Sequence, residues 1–255
     1  MSKLETFWDY IDACINGDRL MFISITSSAE GKIPAEGFKY GQGKSSLAGG
    51  FSKGIHKQYH SLGDLQAEKL VKENMGYTWL HHVEAVRQAK KQRKMVYVMD
   101  DLQRIAGKSV SRKREVQEWA EFFSTARPLF AIVIATCPDL GALAKCFRDL
   151  MMFEIKVPAR GIYEIQMIKT KTIFKDPLNP IKLLHYLGES TFPKPSPEWE
   201  KWYKKWRMEG SYDVFEEMVK QHGYDKVEDP DIIPPEPTEI QNAGRMLANA
   251  RWNRN

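Results

Sequence analysis

Eight consecutive residues, Leu129 to Thr136 (LFAIVIAT), constrain the fold more than any other stretch of the chain. A near-continuous apolar run of this length suits a strand buried on both faces, the habit of parallel sheets covered by helices on each side. Two further runs share that character: LMFISI (20–25) and MVYVM (95–99), the latter terminated by Asp100 and Asp101. FEIKV (153–157) reads as a fourth strand. Between them the apolar spacing turns helical. Residues 4–16 place Leu4, Phe7, Trp8 and Ile11 on one face, residues 64–94 read as helix with Gly76 as a break, and 115–125 carries Val116, Trp119, Phe122 and Phe123. A helix over about 139–149 precedes FEIKV. Strands alternating with helices predict an α/β fold with a mostly parallel sheet flanked by helices, whose ligands gather beyond the carboxyl ends of the strands.

Polar residues concentrate at those ends. After the first strand comes a long loop closing in GFKYGQGKSSLA, from which the chain is expected to turn helical at Lys44. Glycines let a backbone curl around a phosphate with its amides pointing inward. A lysine then supplies charge to the β- and γ-phosphates, and the next hydroxyl ligates Mg²⁺. Gly41, Gln42, Gly43, Lys44, Ser45 and Ser46 form that nucleotide-binding loop, and the helix N-terminus adds its dipole. The pattern GxxxxGK[ST] asks for glycine at position 38, where this chain has Phe38; Gly37 lies one residue early.

Asp100 and Asp101 close the second strand 56 residues after Lys44. This arrangement resembles a Walker B strand, in which Asp100 would hold the hydration shell of Mg²⁺ together with Ser45, and Asp101 would polarise the attacking water. The strand LFAIVIAT resembles the sensor strand of additional-strand P-loop ATPases, with Thr136 between the nucleotide and the water-activating carboxylate. Arg148, ahead of FEIKV, stands where such proteins present an arginine to a neighbouring subunit's ATP; Arg127 and Arg160 compete for that role. Across residues 20–160 the order of motifs is similar to AAA+ proteins of the replication-initiator and helicase-loader type. ATCPDLGALAKCFRDLMMFEIKV also resembles the FtsK/HerA-type translocases and packaging ATPases, which commonly carry Gln where this chain has Thr136 and Cys137.

The resemblance implies an ATP-hydrolysing, Mg²⁺-dependent enzyme that works as a homo-oligomer on DNA, with ATP at subunit interfaces. Lys44, Asp101, Thr136 and Arg148 would carry the catalysis. A translocase or packaging motor is one alternative; a nucleotide-dependent switch with little hydrolysis, suggested by Asp rather than Glu at 101, is another. Charge points the same way as the DNA role. The net charge is +5, but residues 1–197 hold 29 Lys/Arg against 21 Asp/Glu, while residues 198–255 hold 9 against 12. A basic body favours a polyanionic partner. Lys90, Lys91, Arg93 and Lys94 form one basic cluster, and Lys108, Arg112, Lys113 and Arg114 form a second directly after the carboxylates, as DNA-binding candidates.

Three cysteines, Cys14, Cys137 and Cys146, are too few for a disulfide framework or a metal centre. With no long apolar run and no secretory pattern at the N-terminus, a cytoplasmic protein without membrane contact is expected. The sequence divides into an ATPase domain over 1–175, a smaller helical region over 176–228, and a Pro-rich acidic linker with a terminal helix over 229–255. IYEIQMIKTKTIF (162–174) reads as one or two strands, and residues 198–208 and 211–222 read as helices. In EWEKWYKKWRM, Trp199, Trp202, Tyr203 and Trp206 share one helical face, suited to a core, a protein partner or exposed bases. His81 and His82 are adjacent and take structural roles.

Overall fold

The computed structural model describes residues 6–27, 43–173 and 176–222. The chain divides into two compact units, Met1–Gly210 and Ser211–Asn255. The first contains α1 (Phe7–Ile15), β1 (Met21–Ser27), α2 (Lys44–His60), α3 (Asp64–Glu73), β2 (Met75–Gly76), α4 (Trp79–Ala89) and β3 (Lys94–Met99). There follow α5 (Gln103–Ala106), α6 (Arg114–Thr125), β4 (Phe130–Thr136), α7 (Lys145–Leu150), β5 (Phe153–Ala159), β6 (Ile162–Ile173) and β7 (Asp176–Thr191). The last helix, α8 (Pro197–His222), begins in this unit; its residues from Ser211 are the described part of the second. Among the described residues, no helix is long and apolar enough to cross a membrane.

Seven strands form one sheet in the order β2-β3-β4-β1-β5-β6-β7. The first five pair in parallel, and β6 and β7 add an antiparallel extension. Every residue of β1 and β4 is buried; Ser24 and Thr26 of β1 are satisfied there by donating to Phe153 O and Glu154 Oε1. Alternation still sorts their side chains between two cores. Ile23, Val98 and Ile132 pack with Ile11 of α1, Leu47 and Ile55 of α2 and Val71 of α3. Phe22, Tyr97 and Val133 pack with Ala85 of α4, Val116 and Phe123 of α6 and Phe147 of α7. Period-2 strands inside a helix–sheet–helix sandwich give this division directly.

Four expectations are corrected. Residues 64–94 do not make one helix: α3 ends at Glu73, and Met75 and Gly76 pair in parallel with Val98 and Met99. Gly76 is required there, because a Cβ would lie 2.1 Å from Tyr97 Oη and 2.8 Å from His82 Nδ1. The helix expected over 139–149 is a short 3₁₀ turn and α7. Residues 176–191, expected within a helical region, form a strand of the main sheet. Pro177 and Pro180 did not break it because β7 is the edge strand, where a missing N–H costs no ladder bond to a further strand. The two helices read over 198–208 and 211–222 are one, α8. The expected linker and terminal helix over 229–255 lie outside the described residues.

His81 and His82 take the structural roles expected of them. His81 completes a capping box with Thr78 at the start of α4. His82 is fully buried, 2.5 Å from Tyr97 Oη, and burial lowers its pKa to about 3. Arg93, read as part of a basic cluster, instead donates to the carbonyls of Cys14, Gly17, Arg19 and Arg127 at 2.8–3.1 Å. It thereby satisfies carbonyls at the C-terminal end of α1, a job for a fixed guanidinium fork rather than a free surface charge.

Candidate functional site

The parallel strands β3, β4 and β1 lie side by side, with Ile25 opposite Thr136 and Met99 opposite Ala135. Their carboxyl ends therefore bring Ser27, Asp100, Asp101 and Thr136 together on one rim of the sheet. α2 starts over the same rim. Its N-cap, Gly43, has φ +90°, a left-handed conformation that favours glycine, and a Cβ would meet the Phe192 ring at 3.3 Å. Lys44 Nζ sits 3.5 Å from Ser27 Oγ at the end of β1. Burial lowers the Lys44 pKa, an effect opposed by the charges of Asp101 and Asp100 among others. Gly41 and Gln42, the first residues expected in the phosphate loop, lie outside the described residues.

Asp100 is the hub. It is 1% exposed, so its charge depends on its hydrogen bonds. Oδ1 accepts from Ser45 Oγ at 2.6 Å and from Thr136 Oγ1 at 2.7 Å. Oδ2 accepts from Tyr203 Oη at 2.7 Å and from Arg207 Nη1 at 3.1 Å. Tyr203 Oη also lies 2.9 Å from Ser45 Oγ. Each hydroxyl has one proton, and the carboxylate draws both because charge-assisted bonds are the stronger. Burial and the Asp100 charge raise the Tyr203 pKa, which keeps the phenol protonated and donating.

Asp101 adopts φ +55°, unusual for a residue with a side chain. Its N–H donates to Thr136 Oγ1 at 2.8 Å, and its carboxylate takes Arg207 Nη2 at 3.3 Å. Thr136, expected to face the nucleotide, thus uses its hydroxyl as a brace: it accepts from one aspartate's backbone and donates to the other's side chain. Arg207 bridges both carboxylates and lies over the Tyr77 ring, 3.8 Å from its centroid. Arg104 lies over the same ring at 4.2 Å, and burial and the nearby Arg207 lower its pKa.

Ser45 Oγ and the Asp100 carboxylate are hard oxygen donors on adjacent elements, 2.6 Å apart. A hydroxyl and a carboxylate are the donor types that suit Mg²⁺. Ser46, at the flank of α2, borders a cavity of about 440 Å³ walled by Phe51, Tyr163, Phe192 and Trp199. Lys108, Arg112, Lys113 and Arg114 are exposed, and Arg114 pairs with Glu118 at 2.6 Å. Arg148 is half-buried on α7.

Tyr203, Arg207 and Tyr77 were not foreseen in the site. The signal was present: Tyr203 and Arg207 are four residues apart, so the arginine extends the aromatic face of α8 by one turn. What that face packs against was not legible. Trp199 fills a notch at Gly49 of α2, where a Cβ would come within 2.4 Å of its ring, and Trp206 stacks on His81. The first half of α8 is therefore packed on the same unit as the sheet.

No family model matches the chain, and no curated protein matches it. Among solved structures, Thermomonospora curvata EccC (ATPases 2 and 3) in complex with a signal sequence peptide is similar at 11% identity, with a TM-score of 0.23. The match covers 70% of this chain and 32% of that one, so the chain spans about a third of its length. At that level of likeness the functional argument rests on this chain's own geometry.

Proposed function

We propose that the chain is a P-loop nucleoside triphosphatase that binds ATP with Mg²⁺ at the rim formed by β1, β3 and β4. The observation that carries this reading is the 2.6 Å contact between Ser45, at the start of α2, and Asp100, at the end of β3. It joins the two motifs that the sequence separates by more than fifty residues. The position of β4 between β1 and β3 supports the additional-strand class.

In this reading the N-terminal amides of α2 and Lys44 bind the phosphates, and the cavity beside Ser46 takes the nucleoside. Bound Mg²⁺ would neutralise charge on the β- and γ-phosphate oxygens. Ser45 and Asp100 hold that position, and Thr136 fixes both aspartates by its paired hydrogen bonds. Asp101 orients the attacking water for in-line displacement, once its carboxylate is turned from Arg207. Action on DNA belongs to the same proposal, supported by the exposed cations Lys108, Arg112, Lys113 and Arg114; so do the homo-oligomer and an interface role for Arg148. Replication-type remodelling and strand translocation are both compatible with these parts.

Lys44→Ala tests the centre of the proposal. Binding of a fluorescent ATP analogue should fall by at least about a hundredfold, the loss of a charge-assisted phosphate contact of about 3 kcal/mol. Unchanged affinity in a folded variant refutes nucleotide binding at this loop.

A further inference from the structure

We propose that α8 is a built-in strap over the cation side of the site: Tyr203 and Arg207 compete with the nucleotide's Mg²⁺ for Asp100 and Ser45. The proposal rests on the nucleotide reading above and adds the regulation of that site.

The argument is one of available lone pairs. An ionised carboxylate offers about four acceptor positions. Asp100 has all four engaged, by Ser45 and Thr136 on Oδ1 and by Tyr203 and Arg207 on Oδ2. A water in the shell of Mg²⁺ needs one of these. Thr136 is committed to holding Asp101 and is buried in β4, so the replaceable donors are the two from α8. Mg²⁺ also sits about 2.1 Å from a ligating oxygen. Tyr203 Oη, 2.9 Å from Ser45 Oγ, stands on the approach to that hydroxyl.

Charge gives the second half. Arg207 spans the carboxylates of Asp100 and Asp101, offsetting part of the negative charge that would draw a divalent cation. Two cationic groups cannot occupy one pocket at low cost, so docking of these two side chains and loading of Mg²⁺ oppose each other. By linkage the opposition is reciprocal: whatever holds α8 down weakens cation binding, and the loaded cation loosens α8. The helix is held independently by Trp199 against Gly49 and Trp206 on His81. The strap therefore stays poised when its polar contacts break.

The test is binding of a fluorescent ATP analogue to the full chain at rising Mg²⁺, in the wild type, Arg207→Gln, Tyr203→Phe and Lys44→Ala, with thermal melts to check folding. The Mg²⁺ concentration for half-maximal binding should fall about tenfold in Arg207→Gln and about threefold in Tyr203→Phe, the loss of a charged and of a neutral donor to the carboxylate respectively. A midpoint unchanged or raised in both folded variants, while Lys44→Ala still abolishes binding, overturns the strap and leaves the nucleotide reading standing. Arg207 would then serve the bound nucleotide. Binding that survives Lys44→Ala, or that no folded form displays, removes both readings. Binding seen only in the α8 variants supports the strap in its strongest form.

Discussion

Replacing Asp100 by asparagine separates a carboxylate that stabilises this fold from one that burdens it. The substitution keeps the shape and leaves one carbonyl oxygen where there were two acceptors. If that oxygen stays on Ser45 and Thr136, the new amide group points at Arg207 Nη1, donor against donor, where an ion pair of 3.1 Å stood. The lost charge-assisted bond is worth about 1.5–3 kcal/mol. Arg207 is not stranded, because its side chain is 29% exposed and it retains Asp101 at 3.3 Å. The cost therefore stays below the ~3–5 kcal/mol typical of an abandoned buried partner. A net loss of about 2–3 kcal/mol lowers Tm by about 5–10 °C for a chain of this size. Thermal unfolding without nucleotide, in the presence of a chelator, reads it. Arg207→Gln should then cost at least ~1 kcal/mol less in the Asp100→Asn background than alone. An Asp100→Asn protein as stable as the wild type, or strict additivity of the two changes, would refute the geometry on which the site and its strap are built.

Two predictions concern the frame around the site. Gly76→Ala places a methyl group against Tyr97 Oη and should destabilise by about 2 kcal/mol in urea unfolding. The cost should shrink when Tyr97→Phe removes that oxygen, and equal cost in both backgrounds argues against the clash. The second follows from His82, whose pKa falls from an ordinary 6.5 to about 3 on burial. Above pH 6.5 both folded and unfolded chains hold it neutral. Below that, only the unfolded chain takes up the proton, so stability drops as pH falls, by about 2 kcal/mol at pH 5. His56, lowered to about 4 chiefly by burial, acts in the same direction. Urea unfolding showing no less stability at pH 5 than at pH 7 counts against a neutral, buried His82.

Much of the frame was legible because it depends on local pattern. Largely apolar runs of strand length located β1, β3 and β4, the alternating FEIKV located β5, and helical spacing located α1 and α6. Failures came where a partner, not a pattern, makes the element. Two residues suffice for β2 because the edge of β3 is waiting for them, and Gly76 looked like a helix break when it marks a close approach to Tyr97. β6 was legible in residues 162–174, but β7 was hidden by Pro177 and Pro180, which signal a break unless the strand is known to be an edge.

The site divides along the same line. The resemblance to P-loop ATPases, carried by motif order, set Lys44, Ser45, Asp100, Asp101 and Thr136 as a group, and the fold brings Ser45, Asp100 and Thr136 into hydrogen-bond contact. Only the tertiary structure decided what else reaches them. The aromatic face of α8 had to bury itself somewhere, and sequence periodicity specifies the face but not its partner. Packing against Gly49, Tyr77 and His81 carries Tyr203 and Arg207 onto the carboxylates, more than a hundred residues away in the chain. Contacts at that separation are set by the sum of core packing, which no local stretch of sequence contains.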